Sequence, residues 1–391
     1  MRKIGETDAI FYKEYGDLKR RHYFAHGRIE ILGNHTDHNH GLALVGGSSL
    51  GITCACCPND LGLVRLASFG FRPFEIHLDA LEAKEEEKGS PLSLAKGVLF
   101  ALKKLGYKIG GFFATCYSDI PSGSGVSSSA CFESLIAEIV NDLYNGGNIP
   151  QKEMAFACQY AEVVYFGKPC GLLDQIGSVY GGVNYVDFKN VDDPIVEPLP
   201  FPFPLKPVLI LTPSSHDGLT PLYASISADM KSVAKNVFGK ECLREVDPQE
   251  FQQRLAAPTV GVSERAKLRA THFFDENRRV LDARRALLEQ DEATFLRSVE
   301  LSGESSRALL ANTMVPGKYK DSPQEAVDIA RRFLPDGKCR IMGGGFAGSI
   351  LAFPLPKEMD GFLSSMRTIY GENNVIEDCF LEGGAKRIDE E

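Results

Sequence analysis

A proline-rich segment near the middle of the chain constrains the fold more than any other feature. Residues 194–207, PIVEPLPFPFPLKP, contain six of the 21 prolines in the 391-residue sequence. Because proline lacks an amide hydrogen and has a fixed φ, such a segment can be neither a helix interior nor a central strand. The sequence therefore predicts a domain junction here, between an N-terminal domain of residues 1–200 and a C-terminal domain of residues 201–391.

The hydrophobic patterns on the two sides of the junction predict a mixed α+β protein. The predicted N-terminal elements are strands near 24–31, 42–57, 63–67, 110–117 and 183–188 and helices at 92–105 and about 127–143. The predicted C-terminal elements are a strand at 207–212, helices to about 335, two short strands within 338–354 around a glycine turn at 343–348, a helix, and a strand near 374–381.

The charge of the chain argues against nucleic acid and membrane partners. Acidic residues outnumber basic ones by 52 to 43, so the net charge is −9 and an anionic ligand needs a local positive site. No segment has the apolar length of a signal peptide core or a membrane span. We expect a cytoplasmic protein whose ten cysteines are reduced and behave as small hydrophobic residues.

A glycine- and serine-rich loop, PSGSGVSSSA at 121–130, lies between a predicted strand and a predicted helix. Glycines let the backbone wrap closely around an anion, and the amides at a helix start favour phosphate oxygens. The loop is not a Walker A motif, because no Gly-Lys-Ser/Thr follows. A simpler interpretation is a loop that only caps the helix.

A second polar segment, GRIEILGNHTDHNHG at 27–41, runs from a predicted strand into a loop. Its His35, His38 and His40 suggest a metal site, but three histidines on one loop rarely converge tetrahedrally. Alternating hydrogen-bond donors and acceptors suit the hydroxyls of a sugar better.

A third segment, GKPCGLLDQ at 167–175, follows a predicted helix that carries Glu162. Asp174 lies twelve residues after that glutamate. Two interpretations remain open for Asp174, a catalytic carboxylate and a helix N-cap.

Together with the glycine turn, these segments resemble the motifs of the GHMP small-molecule kinases, and most specifically the galactokinases. The resemblance runs from about Gly27 to Gly383-Gly384-Ala385. It implies a ribosomal-S5-like N-terminal domain and a ferredoxin-like C-terminal domain with the active site between them. It also implies phosphoryl transfer from MgATP to the anomeric hydroxyl of a sugar, with galactose as the expected substrate.

The resemblance also implies roles for individual residues. The implied residues are Gly123, Ser124, Gly125, Ser127, Ser128 and Ser129 for the ATP phosphates; Ser129 and Glu162 for Mg²⁺; Asp174 as catalytic base and Arg28 as the cation beside the transferred group; and Asn34, His35, Asp37, Gly171 and Tyr223 for the sugar. A carboxylate near the anomeric hydroxyl can accept its proton, and a neighbouring arginine keeps that carboxylate ionised.

The sequence departs from the galactokinase pattern at two places in the implied site. Asn34 stands where galactokinases usually carry a glutamate that contacts the sugar 6-hydroxyl. Its neutral amide leaves galacturonate open as an alternative substrate, because it would not repel a 6-carboxylate. Pro91 and Leu94 stand where relatives often have Trp and Tyr beside the adenine, so the nucleotide base preference is open.

Two rival functions have less support. A non-catalytic sugar and ATP sensor would be expected to have lost residues of the phosphate loop, but Ser128-Ser129-Ala130, Glu162, Asp174 and Arg28 are all present. Phosphorylation of mevalonate or homoserine fits the polar loop His35-Thr36-Asp37 less well than a polyol does. We expect a sugar and a nucleotide as ligands, and a monomer or weak homodimer.

Overall fold

A computed structural model describes residues 3–121, 123–215, 218–255, 261–380 and 382–388. In the N-terminal half, β-branched and aromatic segments form strands, and amphipathic segments form helices. The strands are β1 (Arg21–Leu32), β2 (Leu42–Asn59), β3 (Leu63–Ser68), β4 (Phe74–His77), β5 (Gly111–Ser118), β6 (Val183–Asp187) and β7 (Ile195–Leu199). The helices are α1 (Ile4–Tyr15), α2 (Pro91–Lys104), α3 (Ser128–Asn145), α4 (Gln151–Tyr160) and α5 (Leu173–Tyr180).

The C-terminal half is mainly helical and contains a smaller sheet. Its helices are α6 (Thr220–Phe238), α7 (Pro248–Leu255), α8 (Glu264–Glu289), α9 (Glu292–Ser305), α10 (Pro323–Ala330) and α11 (Met359–Tyr370). Its strands are β8 (Val208–Leu211), β9 (Lys338–Ile341), β10 (Ser349–Phe353) and β11 (Val375–Glu377), and β12 (Lys386–Arg387) follows near the end of the chain.

Two separate sheets organise these elements. The larger sheet has the order β12-β1-β2-β5-β3-β4, and β6 pairs with both β2 and β7. The smaller sheet has the order β11-β8-β10-β9. The chain passes from one sheet to the other between Leu199 and Val208, inside the proline-rich segment. β12 returns to the larger sheet, where Tyr23 lies opposite Arg387.

The strand β1 connects two hydrophobic cores. Its first half contributes Tyr23 and Ala25 to a core formed with helices α2 to α5. Its second half contributes Ile29 and Ile31 to a core that also contains residues of α8, α9, β8 and β10. Because side chains alternate along a strand, Glu30, which lies between these two isoleucines, faces the opposite side of the strand. The end of β1 therefore lies where the two halves of the chain meet.

The structure confirms the predicted α+β class and most predicted elements. Helix α3 begins at Ser128 and ends before Gly146, whose positive φ of 60° closes the helix. The sequence analysis missed α1, α5, β4, β7 and β12. Strand β7 forms within the proline-rich segment because it lies at the edge of the sheet and pairs only with β6. Residues 256–260 and Leu381 of the predicted C-terminal elements lie outside the described residues, and the domain boundary at 200/201 stays a prediction.

Candidate active site

The predicted phosphate loop connects β5 to α3 and is fixed from two sides. The backbone amide of Arg28 donates to the carbonyl of Val126 at 2.7 Å, and the hydroxyl of Ser349 donates to the carbonyl of Ser124 at 2.7 Å. Gly123 and Gly125 have positive φ values of 76° and 75°, which glycine adopts without strain. Ser122 lies outside the described residues. The loop is therefore held between the larger sheet and the first residue of β10.

The start of α3 carries three of the predicted phosphate-binding serines. Ser128 and Gly123 are exposed, so the loop backbone and the helix start are accessible to a ligand. Ser127 precedes the helix with a φ of 58°, and its hydroxyl does not cap the helix. The hydroxyl instead donates to Asp174 Oδ2 at 2.8 Å. The Ser127 side chain therefore does not cap the helix, and the phosphate-binding role of the loop stays a prediction.

Arg28 and Asp174 form an ion pair beside this loop. Arg28 Nε and Nη2 both approach Asp174 Oδ1, at 2.8 Å and 2.5 Å. The third guanidinium nitrogen, Nη1, donates to the carbonyl of Gly125 at 3.0 Å. Asp174 lies in the first turn of α5, whose N-cap is Leu172, so the N-cap interpretation is also wrong. The arginine thus connects the carboxylate to the phosphate loop.

The charge state of this pair follows from its surroundings. Burial by itself would raise the pKa of Asp174, but Arg28, Lys168 and the Ser127 hydroxyl hold that pKa below its ordinary value. Burial would likewise lower the pKa of Arg28, but Asp174 and Glu30 hold it above its ordinary value. Both groups are therefore ionised at neutral pH.

The predicted metal-binding residues also lie together. Ser129 Oγ donates to Glu162 Oε1 at 3.0 Å, and the carboxylate of Glu162 is almost fully buried. Lys168 Nζ lies 2.8 Å from the same oxygen, and Gln175 Nε2 donates to Glu162 Oε2 at 2.8 Å. A hydroxyl and a carboxylate oxygen suit Mg²⁺, which binds one or two carboxylates together with phosphate oxygens. This donor set therefore fits the metal.

Two neighbouring side-chain atoms of this cluster have no hydrogen-bond partner among the residues that the structure describes. Gln175 Nε2 also approaches Glu133 Oε2 at 3.3 Å, so this amide lies between two glutamates. Glu133 Oε1 and Gln175 Oε1 are buried without a hydrogen-bond partner. The sequence analysis missed Glu133, Lys168 and Gln175, although Gln175 directly follows Asp174.

The predicted sugar loop follows β1, and Asp37 faces the 167–175 segment. Asp37 Oδ1 accepts a hydrogen bond from the backbone amide of His38 at 2.9 Å. A Cβ atom added to Gly171 would overlap the Asp37 carboxylate, so the two residues are in close contact. Burial, together with Glu30 and Asp174, raises the pKa of Asp37 to about 6, against the opposing effects of His38 and Arg28. Asp37 is thus a buried acceptor beside the Arg28–Asp174 pair.

The imidazole of His35 is held by hydrogen bonds on both nitrogens. His35 Nε2 lies 2.9 Å from the carbonyl of Gly344, which can only accept, so Nε2 carries the proton. His35 Nδ1 then accepts from His38 Nε2 at 3.2 Å, and His38 Nδ1 accepts from Asn39 at 3.0 Å. Burial lowers the pKa values of His35 and His38, which keeps both rings neutral. The ring of His35 therefore connects the sugar loop to the glycine turn.

Tyr223, on α6, borders the same turn. Its hydroxyl donates to the carbonyl of Gly345 at 2.9 Å, and a Cβ atom added to Gly344 would come within 2.7 Å of its ring. The rings of Tyr223 and His35 are 6.5 Å apart and nearly parallel. The glycine turn thus packs between the tyrosine and the sugar loop.

Asn34 is fully buried, below the surface of the site. Its Nδ2 donates to Glu30 Oε1 at 2.9 Å and to the carbonyl of Gly343 at 2.5 Å. Its Oδ1 accepts from Asn312 Nδ2 at 2.8 Å. The amide is therefore oriented with both donor hydrogens occupied.

Glu30, which the sequence analysis did not consider, places a carboxylate directly beside Asn34. It also forms a buried ion pair with Arg340, at 3.2 Å between Nη2 and Oε1. Arg28 and Glu30 are two positions apart on β1, so the two-residue period of a strand was a signal for Glu30. The expectation based on the neutral amide of Asn34 therefore did not include the carboxylate that lies beside it.

Helix α8 supports the sugar loop from the C-terminal half. Glu276 Oε1 accepts from the backbone amide of Gly33 at 3.0 Å and from the hydroxyl of Ser302 at 2.6 Å. His272 Nε2 donates to the carbonyl of Asn34 at 2.9 Å, and its Nδ1 accepts from Ser305 at 2.8 Å. The sequence analysis missed both residues, because a charged helix of this kind usually has a solvated face.

The protein combines a glycine- and serine-rich loop at a helix start, an Arg28–Asp174 ion pair and a polar loop after β1, an arrangement that fits a small-molecule kinase of the GHMP class. The model of the GHMP kinases N terminal domain matches residues 93–182, and the galactokinase galactose-binding signature matches residues 9–58. A galactokinase from Pyrococcus furiosus is 30% identical over 83% of this chain and 86% of its own length. A galactokinase from Glaesserella parasuis is 29% identical over 95% of this chain and 94% of its own length. The chain belongs to the galactokinase family.

Solved structures share the fold. A galactose complex of Lactococcus lactis galactokinase superposes with a TM-score of 0.82 at 24% identity, covering 98% of this chain and 99% of that one. A mevalonate kinase from L. major gives a TM-score of 0.63 at 15% identity, covering 94% of this chain and 97% of that one. The GHMP architecture predicted from the sequence is thereby confirmed. None of the helices in the described ranges is long and apolar enough to cross a membrane.

Proposed function

We propose that the protein transfers the γ-phosphoryl group of MgATP to the anomeric hydroxyl of galactose and so produces galactose 1-phosphate. The observation that carries this proposal is the position of Asp174. Its carboxylate is held by Arg28 and by Ser127 of the phosphate loop, and it lies near enough to Asp37 of the sugar loop to raise the pKa of that carboxyl. A phosphate donor and a polyol acceptor can therefore meet at one carboxylate.

The phosphates of ATP are proposed to lie across the loop that contains Gly123, Ser124, Gly125, Ser127, Ser128 and Ser129. This loop offers exposed backbone at a helix start, where amide dipoles favour phosphate oxygens. Arg28 adds a positive charge beside the loop through its contact with the Gly125 carbonyl. When bound by Ser129 and Glu162, Mg²⁺ would neutralise charge on the phosphates.

Asp174 is proposed to position the anomeric hydroxyl and accept its proton. An ionised carboxylate whose pKa lies below its ordinary value is a weak base, so proton transfer is favoured late, after the bond to phosphorus has formed. The Arg28 guanidinium would stabilise negative charge on the transferred group. The pair thus acts mainly through electrostatics and orientation.

The sugar is proposed to bind against Asp37 and Gly171, with His35 and Tyr223 shaping the opposite side. The buried carboxylate of Asp37 is an acceptor for a hydroxyl, and the absence of a side chain at Gly171 keeps that carboxylate accessible. His35 and Tyr223 are both tied to the glycine turn. They therefore act by fixing the shape of the sugar site.

Galacturonate is less favourable than galactose at this site. Both donor hydrogens of Asn34 are occupied and its Oδ1 accepts from Asn312, so the amide has no free donor for a 6-carboxylate. Glu30 also adds negative charge beside Asn34, so a 6-carboxylate near this position would be repelled. Galactose is therefore the better substrate on physical grounds as well as on family membership.

An enzyme is favoured over a sensor because the residues proposed for the reaction are all present and connected: Arg28 and Ser127 both donate hydrogen bonds to Asp174. Ten free cysteines support the proposed cytoplasmic location. The monomeric or weakly dimeric state stays a prediction.

The experiment is a coupled ADP-release assay with galactose, galacturonate, N-acetylgalactosamine, glucose and arabinose. We expect turnover with galactose and little with galacturonate. Asp174→Asn and Arg28→Ala should each abolish turnover while calorimetry shows nearly unchanged galactose binding. Asp142→Asn is the matched control, because Asp142 also pairs with an arginine and its side chain is 23% exposed against 27% for Asp174. Near-normal single-turnover phosphorylation by either site variant would refute the proposed roles.

A further inference from the structure

The side chain of Lys168 is largely exposed, but its ammonium group contacts the buried carboxylate of Glu162 in the predicted metal site. Its side chain is 56% exposed, yet its ammonium lies 2.8 Å from Glu162 Oε1. The hydroxyl of Ser129 donates to that same oxygen. The ammonium therefore occupies a position next to both oxygen donors that suit Mg²⁺.

An ammonium and a divalent cation compete for this oxygen. A lysine ammonium is a compact charge, and two cations that share one carboxylate oxygen repel each other strongly. Because Glu162 is buried, its charge needs a partner when no metal is bound. Lys168 supplies that partner, and a metal ion would take its place.

The position of Lys168 gives the ammonium another anion to bind after displacement. Lys168 also lowers the pKa of Asp174, so its charge lies close to the phosphoryl-transfer centre. The residue follows Gly167, in the loop between Glu162 and α5, and its four-carbon stem is flexible. A displaced ammonium would reach the space beside the phosphate loop.

Two other buried cations of the N-terminal half are already engaged. Arg28 uses Nε and Nη2 for Asp174 and Nη1 for the Gly125 carbonyl. Lys96, on α2, forms a buried ion pair with Glu87 at 2.8 Å. The phosphate loop itself contributes neutral donors, and the chain has a net charge of −9. Lys168 is thus well suited to neutralise an anionic nucleotide.

We propose that Lys168 is a nucleotide-binding residue that exchanges partners. Its ammonium neutralises Glu162 in the nucleotide-free protein and moves onto the polyphosphate when a divalent cation occupies Ser129 and Glu162. The inference rests on the proposed kinase function, because it requires the metal and the nucleotide to share this site.

The first test measures Mn²⁺ binding to the nucleotide-free protein by electron paramagnetic resonance. Lys168→Met should bind Mn²⁺ about tenfold more tightly than the unmodified protein, because the competing charge-assisted contact is lost. Lys168→Arg should bind Mn²⁺ as weakly as the unmodified protein does, and Glu162→Gln should not bind Mn²⁺ at this site. Lys206→Met is the matched control, since Lys206 pairs with Glu377 and is 60% exposed.

The second test measures MgATP affinity by calorimetry. Lys168→Met should weaken MgATP binding about tenfold and leave galactose binding unchanged, because one cationic contact to phosphate is lost. The proposal is overturned if Lys168→Met changes neither Mn²⁺ nor MgATP affinity, or if Glu162→Gln binds Mn²⁺ normally. Failure of the kinase proposal is recognised separately, as absence of ADP release by the unmodified protein with every sugar tested.

Discussion

The buried pair of Glu30 and Asn34 yields a quantitative prediction about the sugar loop. In Asn34→Glu, the group that donates to Glu30 at 2.9 Å and to the Gly343 carbonyl is replaced by a carboxylate. The substitution therefore places two negative charges side by side and removes the donor to a buried carbonyl. The sequence alone suggests a mild change toward the usual galactokinase residue, whereas the structure predicts a damaging one.

The magnitude follows from the geometry. Two unit charges about 4 Å apart repel by about 4 kcal/mol at an effective dielectric of 20. The neighbouring Arg340 guanidinium offsets part of this, and a buried carbonyl left without a donor costs about 1 to 3 kcal/mol. We therefore expect Asn34→Glu to lose about 3 to 5 kcal/mol of stability near neutral pH. The introduced carboxyl would have a folded-state pKa above its unfolded value of about 4, so the loss grows as the pH rises from about 4 to that folded-state pKa and is constant above it.

The assay is denaturant and thermal unfolding of Asn34→Glu, Glu30→Gln and the double variant. Glu30→Gln removes one of the two charges, so the double variant should recover much of the stability lost in Asn34→Glu. The four proteins form a double-mutant cycle that isolates the coupling between the two positions. Additive effects, or an Asn34→Glu variant as stable as the unmodified protein, would refute the reasoning.

Three further predictions concern the reaction centre. The kcat/KM for galactose should fall about tenfold per pH unit below about pH 6, because protonated Asp37 is a poorer hydrogen-bond acceptor. The Asp37→Asn variant should lose this pH dependence. If kcat/KM of the variant still falls below pH 6, another group causes the fall. Gly171→Ala should raise the KM for galactose about tenfold and leave the KM for ATP unchanged, because the added methyl group overlaps the Asp37 carboxylate. Equal changes in the two KM values would contradict a contact that is specific to the sugar. Ser127→Ala should lower kcat about tenfold in steady-state assays, because Asp174 Oδ2 loses a charge-assisted hydrogen bond; an unchanged kcat would exclude the hydroxyl from positioning Asp174.

Much of the candidate site was predictable because its residues lie in short, locally recognisable segments. The phosphate loop, the 27–41 segment and the 167–175 segment each carry their chemistry within about fifteen residues, so their order along the chain was sufficient for the resemblance. Arg28, Ser129, Glu162 and Asp174 were identified in this way. Glu30 was missed although the strand period placed it on the same side as Arg28.

Other parts of the site have no local signal. Glu276 and His272 bind the backbone of the sugar loop across more than 230 residues of sequence, from a helix whose pattern is that of an ordinary charged surface. Burial of Glu276 would raise its pKa, but Arg279, His272 and Arg340 hold that pKa far below its ordinary value, so it is a permanent acceptor. Only packing of α8 against the loop creates this arrangement.

The sequence by itself determined the α+β class, the phosphate loop and the chemical groups available for phosphoryl transfer, because backbone geometry and side-chain chemistry are local properties. The tertiary structure decided which groups meet and in what charge state. Arg28 and Asp174 are 146 residues apart, and their contact depends on β1 and α5 packing together. The carboxylate beside Asn34 and the ammonium on Glu162 likewise arise from packing, since desolvation and proximity, not residue type, set the charge and orientation of a buried group.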